Sequence, residues 1–354
     1  MWEKLRRWWP VAKALLGLAI VFFVGRRFAH DLSQPQLYEQ PLRLDWLVPS
    51  ALCYLAGLGM GALYWWWLIR RLGHPARLLP LVRAYYVGHL GKYVPGKAVA
   101  LVMRAAMAPP AGVPAGRAGL TAFYEVLTTM AGGALLAVVV FLTADGGVVL
   151  PTMHDWSAAW AAMVRLDLPP EAPPTGMLAA IALALLVAVL WPILPPVFNR
   201  LAYRIVRPFR DPALGAFPRF TFTHLAVGLL AAAVGWMLMG LGVMAASEAV
   251  PGASLAGVPW RGVAAVLAIG YVAGFLILVA PGGLGVRELF LTWLLTPAVA
   301  EANALAVDEA RGKVVLVVLL LRLAWTVAEL LLAAVLYPLG MRGTAAVSAE
   351  GEGT

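Results

Sequence analysis

Eight ionisable side chains lie within or beside long apolar runs: Lys92, Lys97, Arg104, Arg287 and Arg322 against Glu125, Glu288 and Glu329. A charge at the centre of a bilayer costs about 2.5–3.5 kcal/mol on insertion scales, so an ionisable group kept there is a functional candidate. Five cations against three carboxylates leave a surplus of two positive charges. That surplus suits a lipid phosphate, which needs charge compensation on leaving water. Arginine is the better ligand for it, because its planar fork bonds two oxygens at once. Arg287-Glu288 stands out because it follows a break in an apolar run. Arg322 and Glu329 are seven apart, on one face of a helix, and suit either a headgroup or a structural interhelical pair. Glu125 lies about two turns into its span and suits pairing with an arginine. Lys92 and Lys97 read equally as headgroup ligands and as side chains snorkelling to the interface. Arg104 reads equally as a ligand and as a residue of the cytoplasmic rim.

Other chemistry finds little support. The five histidines are scattered without HExxH or similar spacing, and the single cysteine, Cys53, sits in an apolar run. Neither pattern builds a metal site or an intrachain disulfide. No GxSxG elbow or Walker loop occurs, so ATP hydrolysis by this chain is not expected. No cofactor or metal is called for, and no catalytic residue is assigned. Met237, Met239 and Met244 read as packing.

The elements that must hold these charges are membrane helices. The chain is 62% hydrophobic and 13% charged, with a mean hydropathy of +0.82. Soluble domains are about half apolar and about a quarter charged. Several runs reach the roughly 20 apolar residues that cross a bilayer. The fold class is therefore all-α polytopic membrane protein. Val11–Val24, Trp46–Ile69, Leu120–Leu142, Met177–Val197, Phe222–Ala246 and Val314–Leu339 read as spans, and Pro297–Gly312, with Glu301, Asp308 and Glu309, reads as a loop. Val11–Val24 follows a basic, aromatic start and is read as an uncleaved first span. Trp65-Trp66-Trp67 reads as an interfacial aromatic belt. Met153, Trp156, Trp160 and Met163 recur at helical spacing and suggest a helix lying on the membrane surface.

Two further apolar segments are broken. Leu79–Ala108 is divided at Pro95-Gly96, and Gly262–Leu295 at Pro281-Gly282-Gly283 and Gly285. Proline cannot donate a backbone hydrogen bond, and glycine does little to hold a helix. Lipid cannot satisfy the freed backbone groups, so such breaks persist where they face protein or a water-filled cavity. Their free N–H groups at half-helix starts favour anions.

The net charge of +9 comes from arginines clustered in loops. Orientation by the positive-inside rule explains them better than nucleic-acid binding. The basic loops after Ile69 and Val197 are then cytoplasmic, as is the amino terminus, and the loop Thr143–Thr175 is outside. Arg26, Arg27 and Arg43 disagree, falling in the first outer loop. This arrangement makes the two broken segments re-entrant from opposite faces; counting them as spans gives seven or eight crossings instead of six. Residues 11–142 and 177–338 then form an inverted repeat, with Tyr86-Val87 before Pro95-Gly96 echoing Tyr271-Val272 before Pro281-Gly282. Paired discontinuous helices in inverted repeats are a recurring transporter plan. The expectation is one integral domain over 1–340, with about six to eight transmembrane helices, and a disordered polar tail over 341–354.

At these residues the chain resembles the transmembrane region of lysylphosphatidylglycerol synthases, a flippase-like family. PGGLGVRE (281–288) carries the resemblance most specifically. GKYVPGKAVALVMR (91–104), Glu125 and the Arg322-bearing last span extend it over roughly Trp46–Leu339. The resemblance implies movement of an aminoacylated lipid between leaflets, beside a separate carboxy-terminal domain that makes the lipid. The chain ends soon after its last span, so that aminoacyl-transferase domain is expected to be absent. The acidic residue expected after the first Pro-Gly is replaced by Val99-Ala100.

The functional expectation is a lipid translocase of a bacterial inner membrane. It would bind and move an anionic phospholipid or a polyprenyl-phosphate-linked lipid, downhill or coupled to an ion or proton with Glu125 or Glu288 as carrier. A non-transporting partner of a separately encoded envelope-lipid or glycan enzyme is the main alternative, and a membrane-embedded lipid transferase a weaker one. The oligomeric state is left open.

Overall fold

The computed structural model describes residues 41–93, 98–144, 173–206, 219–276 and 285–351, without the side chains of 205–206, 286 and 339–351. It contains ten α-helices: α1 (Leu47–Arg71), α2 (Leu78–His89), α3 (Val99–Ala106), α4 (Ala115–Leu142), α5 (Thr175–Leu190), α6 (Pro195–Val206), α7 (Phe222–Ser247), α8 (Trp260–Leu276), α9 (Val286–Asn303) and α10 (Val307–Gly351). Among the described residues five stretches are long and apolar enough to cross a membrane: Leu44–Arg71, Ala115–Leu142, Thr175–Ile193, Phe222–Ser247 and Val307–Pro338. α8 is a shorter apolar helix. By helix composition this is a multi-pass integral membrane protein. The expected first span, the surface helix around Trp156, the headgroup candidate Lys97 and the break residues Pro95, Gly96, Pro281, Gly282 and Gly283 lie outside the described residues.

Three connections differ from the sequence reading. The basic loop after the fourth expected span begins with a helix, α6. Paired prolines open it where helix N–H groups are unsatisfied in any case, and it buries Phe198 and Ala202 while exposing Arg200 and Arg204. The expected loop from Pro297 to Gly312 shrinks to three residues, because α9 runs through Pro297 to Asn303 and α10 starts at Val307. Ala304 makes that turn with φ +51°, in the left-handed region. α10 continues to Gly351, through residues read as a polar tail.

The chain divides into two compact units that interleave along the sequence. Unit 1 draws on Met1–Tyr54, Gly133–Leu185 and Trp236–Trp325, and unit 2 on Leu55–Gly132, Leu186–Gly235 and Thr326–Thr354. α1, α4, α5, α7 and α10 contribute residues to both.

In unit 1, α8 packs along α9. Eleven of its residues between Val263 and Gly274 are buried, which accounts for a helix that is apolar all round. Tyr54 stacks on Trp325, ring centroids 4.1 Å apart, and the Trp325 indole donates to Ser50 Oγ at 3.1 Å. In unit 2, α2 packs on α3 as a tight hairpin. Glycine is required there: a Cβ on Gly88 would lie 2.6 Å from Arg104 Cγ, and one on Gly91 would lie 2.6 Å from the Ala100 Cα. Val87 of α2 packs on Ala333 and Leu336 of α10.

Candidate functional site

Each unit gathers charged residues around one broken segment. In unit 1 the centre is Glu288, in the first turn of α9. Gly285 precedes that helix with φ +85°, a backbone conformation that glycine adopts without strain. Glu288 Oε2 accepts the Gly285 N–H at 2.8 Å, satisfying one orphan donor of the helix start. Its Oε1 accepts from Arg287 Nη2 at 3.0 Å and from Arg322 Nη1 of α10. The Arg287 guanidinium lies over the Tyr271 ring of α8, 4.4 Å from its centroid, and Tyr271 meets Trp236 edge-on at 5.3 Å. The Glu288 side chain is 4% exposed, whereas those of Arg287 and Arg322 retain 16% and 26%. Two arginines thus share one buried carboxylate, and both keep part of their surface open.

In unit 2 the arrangement is a chain of paired charges. Arg104 Nη1 donates to Glu125 Oε2 at 2.6 Å, with the two side chains 3% and 1% exposed. The Glu125 carboxylate also accepts from Tyr85 at 3.2 Å and from Thr129 at 3.1 Å. The Arg104 guanidinium sits 3.8 Å from the Tyr85 ring centroid. Its Nη2 lies 3.4 Å from His89 Nδ1, and His89 Nε2 lies 3.2 Å from Lys92 Nζ. Lys92 pairs with Glu329 of α10, whose other oxygen accepts from Tyr93 at 2.8 Å.

These contacts redistribute the charges expected from sequence. Glu125 does pair with an arginine, Arg104. Arg322 and Glu329 do not pair with each other: their carboxylate and cation partners are Glu288 and Lys92. The surplus of two is also not one pooled cluster. Unit 2 balances Arg104 and Lys92 against Glu125 and Glu329, unit 1 holds one uncancelled charge, and Lys97 lies outside the described residues.

The aromatic partners Tyr85, Tyr93 and Tyr271, and His89 between two cations, were not singled out as site residues from sequence. The Tyr86/Tyr271 correspondence pointed near them, but Tyr86 donates to the Leu55 carbonyl at 2.7 Å, and Tyr85, one residue earlier, carries the guanidinium. A charged residue following a Pro-Gly break was the usable signal. The tyrosine that it stacks on had none.

Among known protein families, a model of the lysylphosphatidylglycerol synthase transmembrane region matches residues 11–307. The chain belongs to that family. No curated protein and no solved structure matches it. The match takes in both broken segments and the Arg104–Glu125 and Arg287–Glu288 pairs. Arg322 and Glu329 lie beyond the matched residues, and ion pairs to Glu288 and Lys92 join them to it.

Proposed function

We propose that this protein binds the headgroup of an anionic phospholipid or polyprenyl-phosphate-linked lipid and moves it across a bacterial inner membrane. One observation carries the reading: Arg287 and Arg322 share the single carboxylate of Glu288 and stay partly exposed. A phosphate placed there would meet two guanidinium forks whose combined charge is only half neutralised. The half-helix start at Gly285 adds the positive end of the α9 dipole. Membership of a family named for a lipid synthase's membrane region supports the cargo class.

In this reading the two broken segments are re-entrant and belong to inverted repeats over 11–142 and 177–338. The amino terminus is cytoplasmic, and the protein performs no covalent chemistry of its own. A separately encoded lipid-modifying enzyme supplies or receives the cargo.

The test is reconstitution of wild type, Arg287→Ala and Arg322→Ala, followed by fluorescent-lipid scrambling. Each substitution is expected to slow translocation at least tenfold. Unchanged rates in folded variants would remove these residues from the site. A wild type that moves no lipid but copurifies with a lipid-modifying enzyme would favour the partner role. Formation of a new lipid by the purified protein would establish a transferase.

A further inference from the structure

Unit 2 carries a second cationic feature, separate from its buried ion pairs. No aspartate or glutamate occurs between Asp45 and Glu125, a stretch with eight lysines and arginines. Between Glu171 and Glu248 there is one, Asp211, against five arginines. The acidic side chains described in this unit, Glu125 and Glu329, are buried and paired. Its surface arginines therefore face no carboxylate among the described residues.

Tertiary contacts collect these arginines at the joined ends of several helices. The Trp66 indole, at the end of α1, donates to the Ala76 carbonyl just before α2. The Arg77 N–H donates to Ala111 in the turn before α4, and Arg117 of α4 bonds His74. Trp67 meets His224 of α7 edge-on at 5.7 Å. α6 is tied to the same end by two hydrogen bonds between Asn199 and the Phe220 backbone, and by Phe198 packing on Phe220 and Tyr124. Arg70, Arg71, Arg77, Arg200, Arg204 and Arg219 are exposed around these joints. Arg70 and Arg71 lie over the rings of Trp66 and Trp67, at 5.2 and 5.6 Å.

Large apolar side chains are exposed among them: Trp191 at 64%, Phe222 at 62%, Tyr203 at 44% and Leu201 at 42%. α6 turns Phe198 and Ala202 inward and Arg200, Leu201, Tyr203 and Arg204 outward. A surface of arginine interleaved with indole and aliphatic groups suits a headgroup region, where acyl boundary and phosphate are met together. A nucleic acid or an acidic protein would reward the charge but leave the apolar side chains in water.

We infer that this face is a docking surface for anionic phospholipid headgroups of the adjoining leaflet, distinct from the cargo site at Arg287 and Arg322. It holds a shell of acidic lipid around the joined ends of α1, α2, α4, α6 and α7. Each guanidinium contributes by attraction to the surface potential, so the preference weakens as salt is raised.

The full chain is reconstituted in phosphatidylcholine vesicles doped with brominated phosphatidylglycerol or brominated phosphatidylcholine, and tryptophan quenching reads their relative binding. Wild type is expected to favour the anionic lipid several-fold at low salt and less at high salt. The variant R70Q/R71Q/R77Q/R200Q/R204Q should bring the ratio close to one, and lysine at the same five positions should keep it. If the glutamine variant fails to fold, Arg70→Gln/Arg71→Gln and Arg200→Gln/Arg204→Gln should each lower the ratio partway. A wild-type ratio near one, or a preference untouched by all of these charge removals, overturns the inference. Loss of the preference in Arg287→Ala alone also overturns it, by assigning the lipid to the cargo site. Displacement of the lipid by a single-stranded oligonucleotide would overturn it in favour of nucleic acid.

Discussion

Arg104 and Glu125 face each other at 2.6 Å with almost no exposed surface, one from α3 and the other from α4. Removing one partner of a buried ion pair strands the other, at a cost of about 3–5 kcal/mol. Arg104→Ala should therefore lower stability by about that amount, read as thermal or chemical unfolding in detergent. Arg104→Met combined with Glu125→Leu should cost much less, because no charge remains buried. Equal losses in the single and double variants would show that the pair itself contributes net stability.

Glu288 serves two arginines and the start of α9 together. Glu288→Gln keeps an oxygen for the Gly285 N–H but leaves Arg287 and Arg322 without their counter-charge. Two guanidinium groups held near one another then repel. The variant is expected to lose stability by about 2–4 kcal/mol and to bind anionic headgroup analogues no more weakly than wild type. Calorimetry with a soluble phosphodiester headgroup checks the second part; a clear loss of affinity would make Glu288 a ligand rather than an anchor.

Lys92 and Glu329 are 237 positions apart and pair within unit 2. Lys92 is 28% exposed on its side chain and Glu329 only 2%. Lys92→Met should destabilise more than Glu329→Gln, because it strands a buried carboxylate, whereas glutamine still accepts from Tyr93 and leaves a lysine that reaches water. A double-mutant cycle should return a coupling of about 0.5–3 kcal/mol. Additive effects would show that water satisfies the lysine as well as Glu329 does.

The α2–α3 hairpin depends on two missing side chains. Gly88→Ala would press a methyl against Arg104, and Gly91→Ala would press one against the Ala100 backbone. The Ala100 backbone cannot swing aside, and Arg104 is held by its buried pair with Glu125. Each substitution is expected to cost about 1–3 kcal/mol or more. The comparison is made by unfolding both variants under one condition.

His74 lies in the connection between α1 and α2, where it accepts a hydrogen bond from Arg117. Burial and the neighbouring guanidinium lower its pKa from the ordinary value of 6.5. The folded protein then resists a proton that the unfolded chain accepts. Above that value both states are neutral and the group contributes nothing. As pH falls below about 6.5, stability declines until the folded-state pKa is reached. His74→Gln should flatten that part of the stability–pH curve, and an unchanged slope would refute the assignment.

Hydropathy is summed over neighbours in the chain, so the sequence by itself determined the membrane class, five of the long spans to within a few residues at most ends, and the segments interrupted by proline and glycine. It also identified the intramembrane charges, since a lysine, arginine or glutamate in an apolar run is conspicuous without any structure. It missed α6 because a basic amphipathic helix and a basic loop differ only in a short periodicity. It placed a loop at Pro297 because a proline in a helix is ordinarily a break, whereas α9 continues through it.

Only the tertiary structure decided which charge meets which. The partners lie 21, 34 and 237 residues apart, and nothing local in the chain relates Arg104 to Glu125, Arg322 to Glu288 or Lys92 to Glu329. Arg322 and Glu329 share a helix face, which suits a headgroup and a structural interhelical pair alike. Packing against different elements gave each its own partner. That choice converts a diffuse surplus of charge into neutral pairs around Glu125 and Glu329 and one cation in excess at Glu288, because opposite charges removed from water must be matched at contact distance.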